Sequence, residues 1–175
     1  ASLADVLEDC VRQYGQCTAY VCMGKGISYA ELDRLSRDFA AYLQAVLNLE
    51  KGARLVLMMP NCLQYPVCLF GALRAGCTVV NCNPLYTPRE LEHQLNDSGA
   101  EAIVILENFA HVLQEVIAGT QVKHVLTTQL GDLLGIVKGG LVNFVVKHVK
   151  KMVPGWSLPM ATSLPAALRQ GAGMR

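Results

Sequence analysis

MMPNCLQYPVCLFGALRAGCTVVNCNPLYTPRELEHQLNDSGA, residues Met58 to Ala100, switches repeatedly between the pattern of a strand and the pattern of a helix. Its first residues close an apolar run, Arg54 to Met59, whose unbroken character fits a strand covered on both faces, and Pro60-Asn61 interrupt it. Gln64 to Ala75 is apolar on most sides, which predicts a buried helix stopped by Gly76. Cys77 to Cys82 reads as another buried strand, and Asn83-Pro84 as a loop. Thr87-Pro88-Arg89-Glu90 then combines an N-cap threonine, a proline at the first helical position and a glutamate at the third, a helix start. That helix runs to Asp97-Ser98 and stops at Gly99. Strands joined through intervening helices form βαβ units, which require parallel strands and right-handed crossovers.

The same alternation continues on both sides. Downstream, Ala102 to Leu106 reads as a strand, Phe109 to Ala118 as a helix and His124 to Thr128 as a strand. Upstream, Ser2-Leu3-Ala4-Asp5 resembles a helix start, with Leu3, Val6, Leu7, Cys10 and Val11 forming one apolar stripe and Gly15 as its stop. Thr18 to Met23 reads as a strand, Gly24-Lys25-Gly26 as a tight turn, and Ile27-Ser28 as the start of the return. Ser28-Tyr29-Ala30-Glu31 has the form of a full capping box. Leu32, Leu35, Phe39, Leu43 and Val46 follow at helical spacing, and Lys51-Gly52 turn the chain. The expected fold is α/β, a mostly parallel sheet with helices on both faces. Three parts are expected: a sheet subdomain over 1–130, a helical segment over 131–153, and an irregular connection over 154–175 in which Ser163 to Gln170 form a short helix.

Of the 175 residues, 52% are hydrophobic and 17% charged, which is too apolar for disorder and implies that part of the surface meets something else. The formal net charge of +1 offers no electrostatic case for nucleic acid. The most apolar run, Tyr65 to Cys82, is divided by Pro66, Arg74 and Gly76 and falls short of the roughly 20 apolar residues of a membrane span. The N-terminus has no basic region followed by an apolar one, the pattern of a secretory signal. The cysteines, at 10, 17, 22, 62, 68, 77 and 82, are odd in number and never spaced Cys-x-x-Cys. They read as buried, reduced residues rather than as zinc or redox ligands.

Motifs for chemistry are missing. There is no Gly-x-x-x-x-Gly-Lys-Ser/Thr, no Gly-x-Gly-x-x-Gly after a strand and no Gly-x-Ser-x-Gly. The four histidines (93, 111, 124, 148) are scattered. Glu31, Glu90 and Asp5 are accounted for as helix-start residues, and the other carboxylates are expected on polar faces or at helix ends. No catalytic, cofactor-binding or metal-ligating set emerges.

Leu141 to Val153 is more informative. On a helical wheel Leu141, Val142, Val145, Val146, Val149, Met152 and Val153 fall within an arc of about 140°. Asn143, Lys147, Lys150 and Lys151 lie opposite. Burying one such apolar side chain contributes roughly 1.5–3 kcal/mol, so leaving seven in water costs on the order of 10 kcal/mol. The arc must cover either the protein's own core or a membrane surface, with Lys147, Lys150 and Lys151 as the membrane contacts in the second case. Lysines near anionic lipid add only about 1 kcal/mol each, so charge does not choose between the two. Gly131, Gly135 and Gly139 precede this segment at four-residue intervals, open to small-residue close packing but read first as chance or loop glycines.

Taken together, Pro60-Asn61, Gln64-Tyr65-Pro66-Val67, Gly71-Ala72-Leu73-Arg74-Ala75-Gly76 and Asn83-Pro84-Leu85-Tyr86-Thr87 resemble the N-terminal region of long-chain fatty-acid–CoA ligases of the adenylate-forming superfamily. Ile27-Ser28-Tyr29-Ala30-Glu31-Leu32 adds a second block, and Asn143 to Lys147 with Val153-Pro154 resemble the bacterial long-chain branch. The resemblance covers essentially the whole chain. It implies an N-terminal subdomain of the acyl-CoA synthetase fold, from an enzyme that joins a fatty acid to CoA with ATP and magnesium through an acyl-adenylate. It also implies fatty acid, ATP and CoA as partners, and a cytoplasmic protein with an option of peripheral contact at the inner face of the membrane. A homodimer is left open.

The family's Ser/Thr/Gly-rich phosphate loop, its Tyr-Gly-x-Thr-Glu motif, its ribose-binding aspartate and its lid lysine match no position here. The chain alone is therefore expected to be inactive. In relatives the loop Asn83 to Arg89 lies toward the CoA entrance, which makes Arg89 a candidate for a CoA phosphate beside the plainer reading of a solvated arginine in a first helical turn. Two other classes stay open: a stand-alone membrane-surface or interaction module, and an unrelated doubly wound nucleotide binder, which would bind ATP by itself.

Overall fold

The computed structural model describes residues 2–174. The elements in chain order are α1 (Leu3–Tyr14), β1 (Thr18–Cys22), β2 (Lys25–Ser28), α2 (Tyr29–Ala41), β3 (Arg54–Met58), α3 (Gln64–Arg74), β4 (Thr78–Asn81) and α4 (Pro88–Ser98). They continue with β5 (Ala102–Leu106), α5 (Ala110–Val116), β6 (His124–Thr128), α6 (Ile136–Phe144), β7 (Thr162–Ser163) and α7 (Leu164–Ala172). Five strands form one parallel sheet in the order β4-β3-β5-β6-β7, and β1 and β2 form a separate antiparallel hairpin.

The period of two along each strand divides the core. Leu55 and Leu57 of β3 and Val104 and Leu106 of β5 join a core with α2, α3 and α7 on one face. Val56 and Met58, with Ile103 and Ile105, join a second core with Leu91 and Leu95 of α4 and Leu113 of α5. Burial on both faces is why these strands read as continuous apolar runs. Helices on the first face approach closely. A Cβ on Gly71 would meet the Phe39 side chain at 2.7 Å, and one on Gly171 would overlap the carbonyl oxygen of Asp38.

Several local expectations are corrected. The strand read as buried over Cys77 to Cys82 is the sheet edge: Thr78 and Asn81 are exposed, because β4 has only β3 beside it. The hairpin turn is Met23-Gly24, both with positive φ (50° and 72°), as a two-residue hairpin loop requires, so β1 ends at Cys22 and the return begins at Lys25. The apolar stripe of α1 buries only Leu7; Leu3 and Val6 are exposed. Ser28 accepts a hydrogen bond from the Glu31 N–H at 3.1 Å, without the reciprocal bond from Ser28 N–H to the Glu31 carboxylate. Ser28 is at once the N-cap and the last residue of β2, where it is paired with Thr18. The Ser2/Asp5 and Thr87/Glu90 boxes are complete. The helix after Ser28 turns into one π turn over Tyr42–Val46, closed by Leu47 N–H to Tyr42 O at 3.1 Å.

The cysteines are free, but not uniformly buried: Cys62, Cys68, Cys77 and Cys82 are buried, Cys10 and Cys22 half-buried, and Cys17 exposed. Within residues 154–175 the short helix is present as α7, capped by Ser163, and β7 precedes it and extends the sheet. The basic helix starts earlier than expected, at Ile136, and ends in a π turn over Val145–Val149. Lys151 has positive φ, so Lys150 to Val153 lie beyond the helix. Among the described residues no helix is long and apolar enough to cross a membrane.

Candidate functional site at the carboxyl edge of the sheet

Because the five strands are parallel, β3, β5 and β6 all end at one edge, at Met58, Leu106 and Thr128. From β3 the chain moves out to β4, and it then crosses back to β5, so the connections leaving β3 and β5 go to opposite faces. Ligands of open α/β sheets sit outside the carboxyl ends of strands at such a reversal.

On the β5–β6–β7 side this edge holds a polar cavity of about 400 Å³ lined by Glu107, Thr127, Gln129, Asp132, Lys147, Trp156, Ser163 and Pro165. Glu107 directly follows β5 and is buried. Its Oε2 accepts from Gln129 Nε2 at 3.0 Å and lies 4.0 Å from Lys147 Nζ. The buried Gln64 amide, from the first turn of α3, donates to the Gln129 carbonyl at 2.7 Å and ties the loop after β6 to the opposite helix layer. Asp132 accepts from the Thr128 hydroxyl at 2.9 Å and the Gln129 N–H at 2.8 Å. Burial raises the Asp132 carboxyl above the usual range, against the downward pull of its hydrogen bonds from Gln129, Thr128 and Asn143.

The helical segment is anchored here through glycine. Gly131 and Gly139 cross so closely that a Cβ on either would overlap the other's carbonyl oxygen, and Gly131 N–H donates to Asn143 Oδ1 at 2.7 Å. Gly131 and Gly139 thus realise the close-packing alternative, a backbone-to-backbone contact, while Gly135 stands clear at the start of α6. The apolar arc beyond that contact is only partly covered, with Val142, Val145, Val146 and Val153 half-buried. Leu141, Phe144, Val149 and Met152 are 57–63% exposed, Ile136 and Val137 more so, and Val142 alone of the seven packs against the first core. Core packing is seen at Val142, while Leu141, Val149 and Met152 face outward.

Arg89 is exposed in the first turn of α4 and does not line the cavity. A cation there sits at the positive end of the helix dipole. Lys147 lines the cavity, whereas Lys150 and Lys151 are exposed past the helix end. Glu107 and Asp132 depart from the expectation that remaining carboxylates occupy polar faces or helix ends. Their signal was positional: each lies within a few residues of the end of a buried parallel strand. The cavity offers carboxylates, hydroxyls, an amide and one ammonium, which can orient a polar group. It holds neither a nucleophile paired with a base nor a phosphate loop. Among the described residues no group of three or more His, Cys, Asp or Glu could hold a metal.

Fold and edge together define an open, doubly wound α/β subdomain built to present loops from one side of its sheet. The chain matches the AMP-binding enzyme family over residues 7–165 and belongs to that family. It is 58% identical over 174 residues to a long-chain-fatty-acid–CoA ligase of Escherichia coli O157:H7, covering 99% of this chain and 31% of that protein. A long-chain-fatty-acid–CoA ligase of Yersinia pestis is 54% identical over 175 residues, with 100% and 31% covered. Among solved structures, a long-chain-fatty-acid–CoA ligase from Archaeoglobus fulgidus matches at TM-score 0.68 and 25% identity, over 81% of this chain and 29% of that one. An anthranilate CoA ligase carrying anthranoyl-AMP matches at TM-score 0.75 with 15% identity, over 95% and 27%, a likeness of fold alone. The chain therefore spans about a third of the length of these relatives.

Proposed function

We propose that the whole enzyme to which these residues contribute is an ATP-dependent long-chain fatty-acid–CoA ligase. The observation that carries this reading is 58% identity across 99% of the chain to a ligase of that name. In the proposed reaction the fatty-acid carboxylate attacks the α-phosphorus of ATP and expels pyrophosphate, and the CoA thiol then displaces AMP from the acyl-adenylate. Magnesium would accompany ATP; among the described residues no group of three or more His, Cys, Asp or Glu could hold it. This chain's own residues act as scaffold, holding the loops after β3, β5 and β6 at one edge. The test is a chimera of residues 1–175 with the remaining two-thirds of the Escherichia coli relative. Oleate, ATP and CoA should give oleoyl-CoA. A folded chimera that adenylates aryl acids but not oleate contradicts the reading.

The exposed arc of α6 and its π turn supports a second role, contact with an anionic membrane surface. Apolar side chains between 57% and 97% exposed, with Lys147, Lys150 and Lys151 beside them, suit the interface of a bilayer. Lys147 also faces Glu107, so Lys150→Glu with Lys151→Glu carries the test. In flotation with phosphatidylserine-containing vesicles the double variant should bind about thirtyfold more weakly or worse, from the loss of two lysines at about 1 kcal/mol each. Unchanged binding, or none by the unaltered chain, removes this role.

A further inference from the structure

The hairpin and the connection after β3 meet at an apolar cavity of about 230 Å³ whose lining includes Tyr20, Val21, Cys22, Cys62, Tyr65 and Pro66. Two thiols from distant parts of the sequence share it. Cys22 is half-buried, and its thiol donates to the carbonyl oxygen of Asn61, Sγ to O 3.9 Å. Asn61 is bonded to Cys62, so the Cys22 sulfur is aimed at the backbone that carries the second thiol. Cys62 is 5% exposed. Burial, opposed by hydrogen bonds from Tyr65 and Gln64, holds its thiol above the ordinary range, and Cys22 adds to the shift. β1 and β2 share no ladder with the five-stranded sheet, so the hairpin can settle toward Cys62 without breaking strand pairing. The ligase reading uses neither sulfur.

We propose that Cys22 and Cys62 form an oxidant-dependent disulfide that staples the hairpin to the carboxyl end of β3 and closes the mouth of this cavity. The oxidant is a peroxide. The more exposed Cys22, as thiolate, attacks one peroxide oxygen; the O–O bond breaks, and water leaves with the thiol's proton, giving a sulfenic acid. The Cys62 sulfur then attacks the Cys22 sulfur; the S–O bond breaks, and a second water leaves with the Cys62 proton. Two thiols and one hydrogen peroxide become one disulfide and two waters, the sulfurs losing the two electrons that the peroxide gains.

The chain is treated with hydrogen peroxide, alkylated under denaturing conditions and mapped by non-reducing mass spectrometry. Before alkylation the expected product is about 2 Da lighter than the reduced chain, one hydrogen per sulfur. It carries a Cys22–Cys62 peptide pair that dithiothreitol separates. Cys22→Ser abolishes the pair, and Cys17→Ser leaves it intact. A peptide pair through Cys10 or Cys17, oxygen added to Cys22 with Cys62 still alkylatable, or seven unmodified thiols would each overturn the proposal. The map of the unaltered chain decides the matter even where a variant folds poorly.

Discussion

Cys82 shows how a residue that looks inert in sequence carries a measurable term. It follows β4, lies in the second core and is 5% exposed, and burial pushes its thiol up to about 11. The folded state therefore keeps a proton that the unfolded chain has lost by about pH 9, and stability falls as pH rises between those values. Across that interval the retained proton is worth roughly 2–3 kcal/mol at the upper end. Lysines and tyrosines titrate in the same range, so the informative comparison is with Cys82→Ala. Urea midpoints between pH 8 and 11 should fall less steeply for the variant, and parallel curves would contradict the assignment. Burial of this cysteine was legible from the apolar run around it. Burial of Glu107 was not, because a carboxylate reads as surface until the strand it follows is known to lie inside a parallel sheet.

Among the elements, the helix starts separate what local sequence decides from what tertiary pairing decides. Thr87 and Glu90 exchange both hydrogen bonds of a capping box, Thr87 N–H to Glu90 Oε2 at 2.8 Å and Glu90 N–H to Thr87 Oγ1 at 3.4 Å. The hydrogen bonds from Thr87 hold the Glu90 carboxyl below its ordinary value. The same letters at Ser28 and Glu31 give half the motif, since Ser28 is also a hairpin residue. Thr87→Ala is expected to cost about 1 kcal/mol in chemical denaturation. Glu90→Ala should destabilise and Glu31→Ala should not, and equal effects of the two glutamates would show that Glu31 caps after all. The helix of 141–153 was read in the right place with the wrong ends. A wheel drawn at constant pitch cannot anticipate the π turn at Val145, nor the Gly131–Gly139 crossing that anchors it.

For the whole molecule, the alternation of periods two and three-and-a-half was enough to read a parallel sheet with helices on both faces, and β3, α3, α4 and β5 lie where that alternation put them. Strand order was not written there: β4 reads like an interior strand and lies at an edge. The cavity at the carboxyl edge joins Glu107, Gln129, Asp132 and Lys147 from separate loops and a helix, a set that no local motif announces. The proposed role is scaffold in a CoA ligase, with the adenylation chemistry carried by sequence outside this stretch. Isothermal titration calorimetry of the chain with ATP–Mg, and with a long-chain acyl-adenylate analogue, tests it most directly. The account predicts no heat of binding with either; saturable binding of ATP would contradict it and place a nucleotide site within these 175 residues.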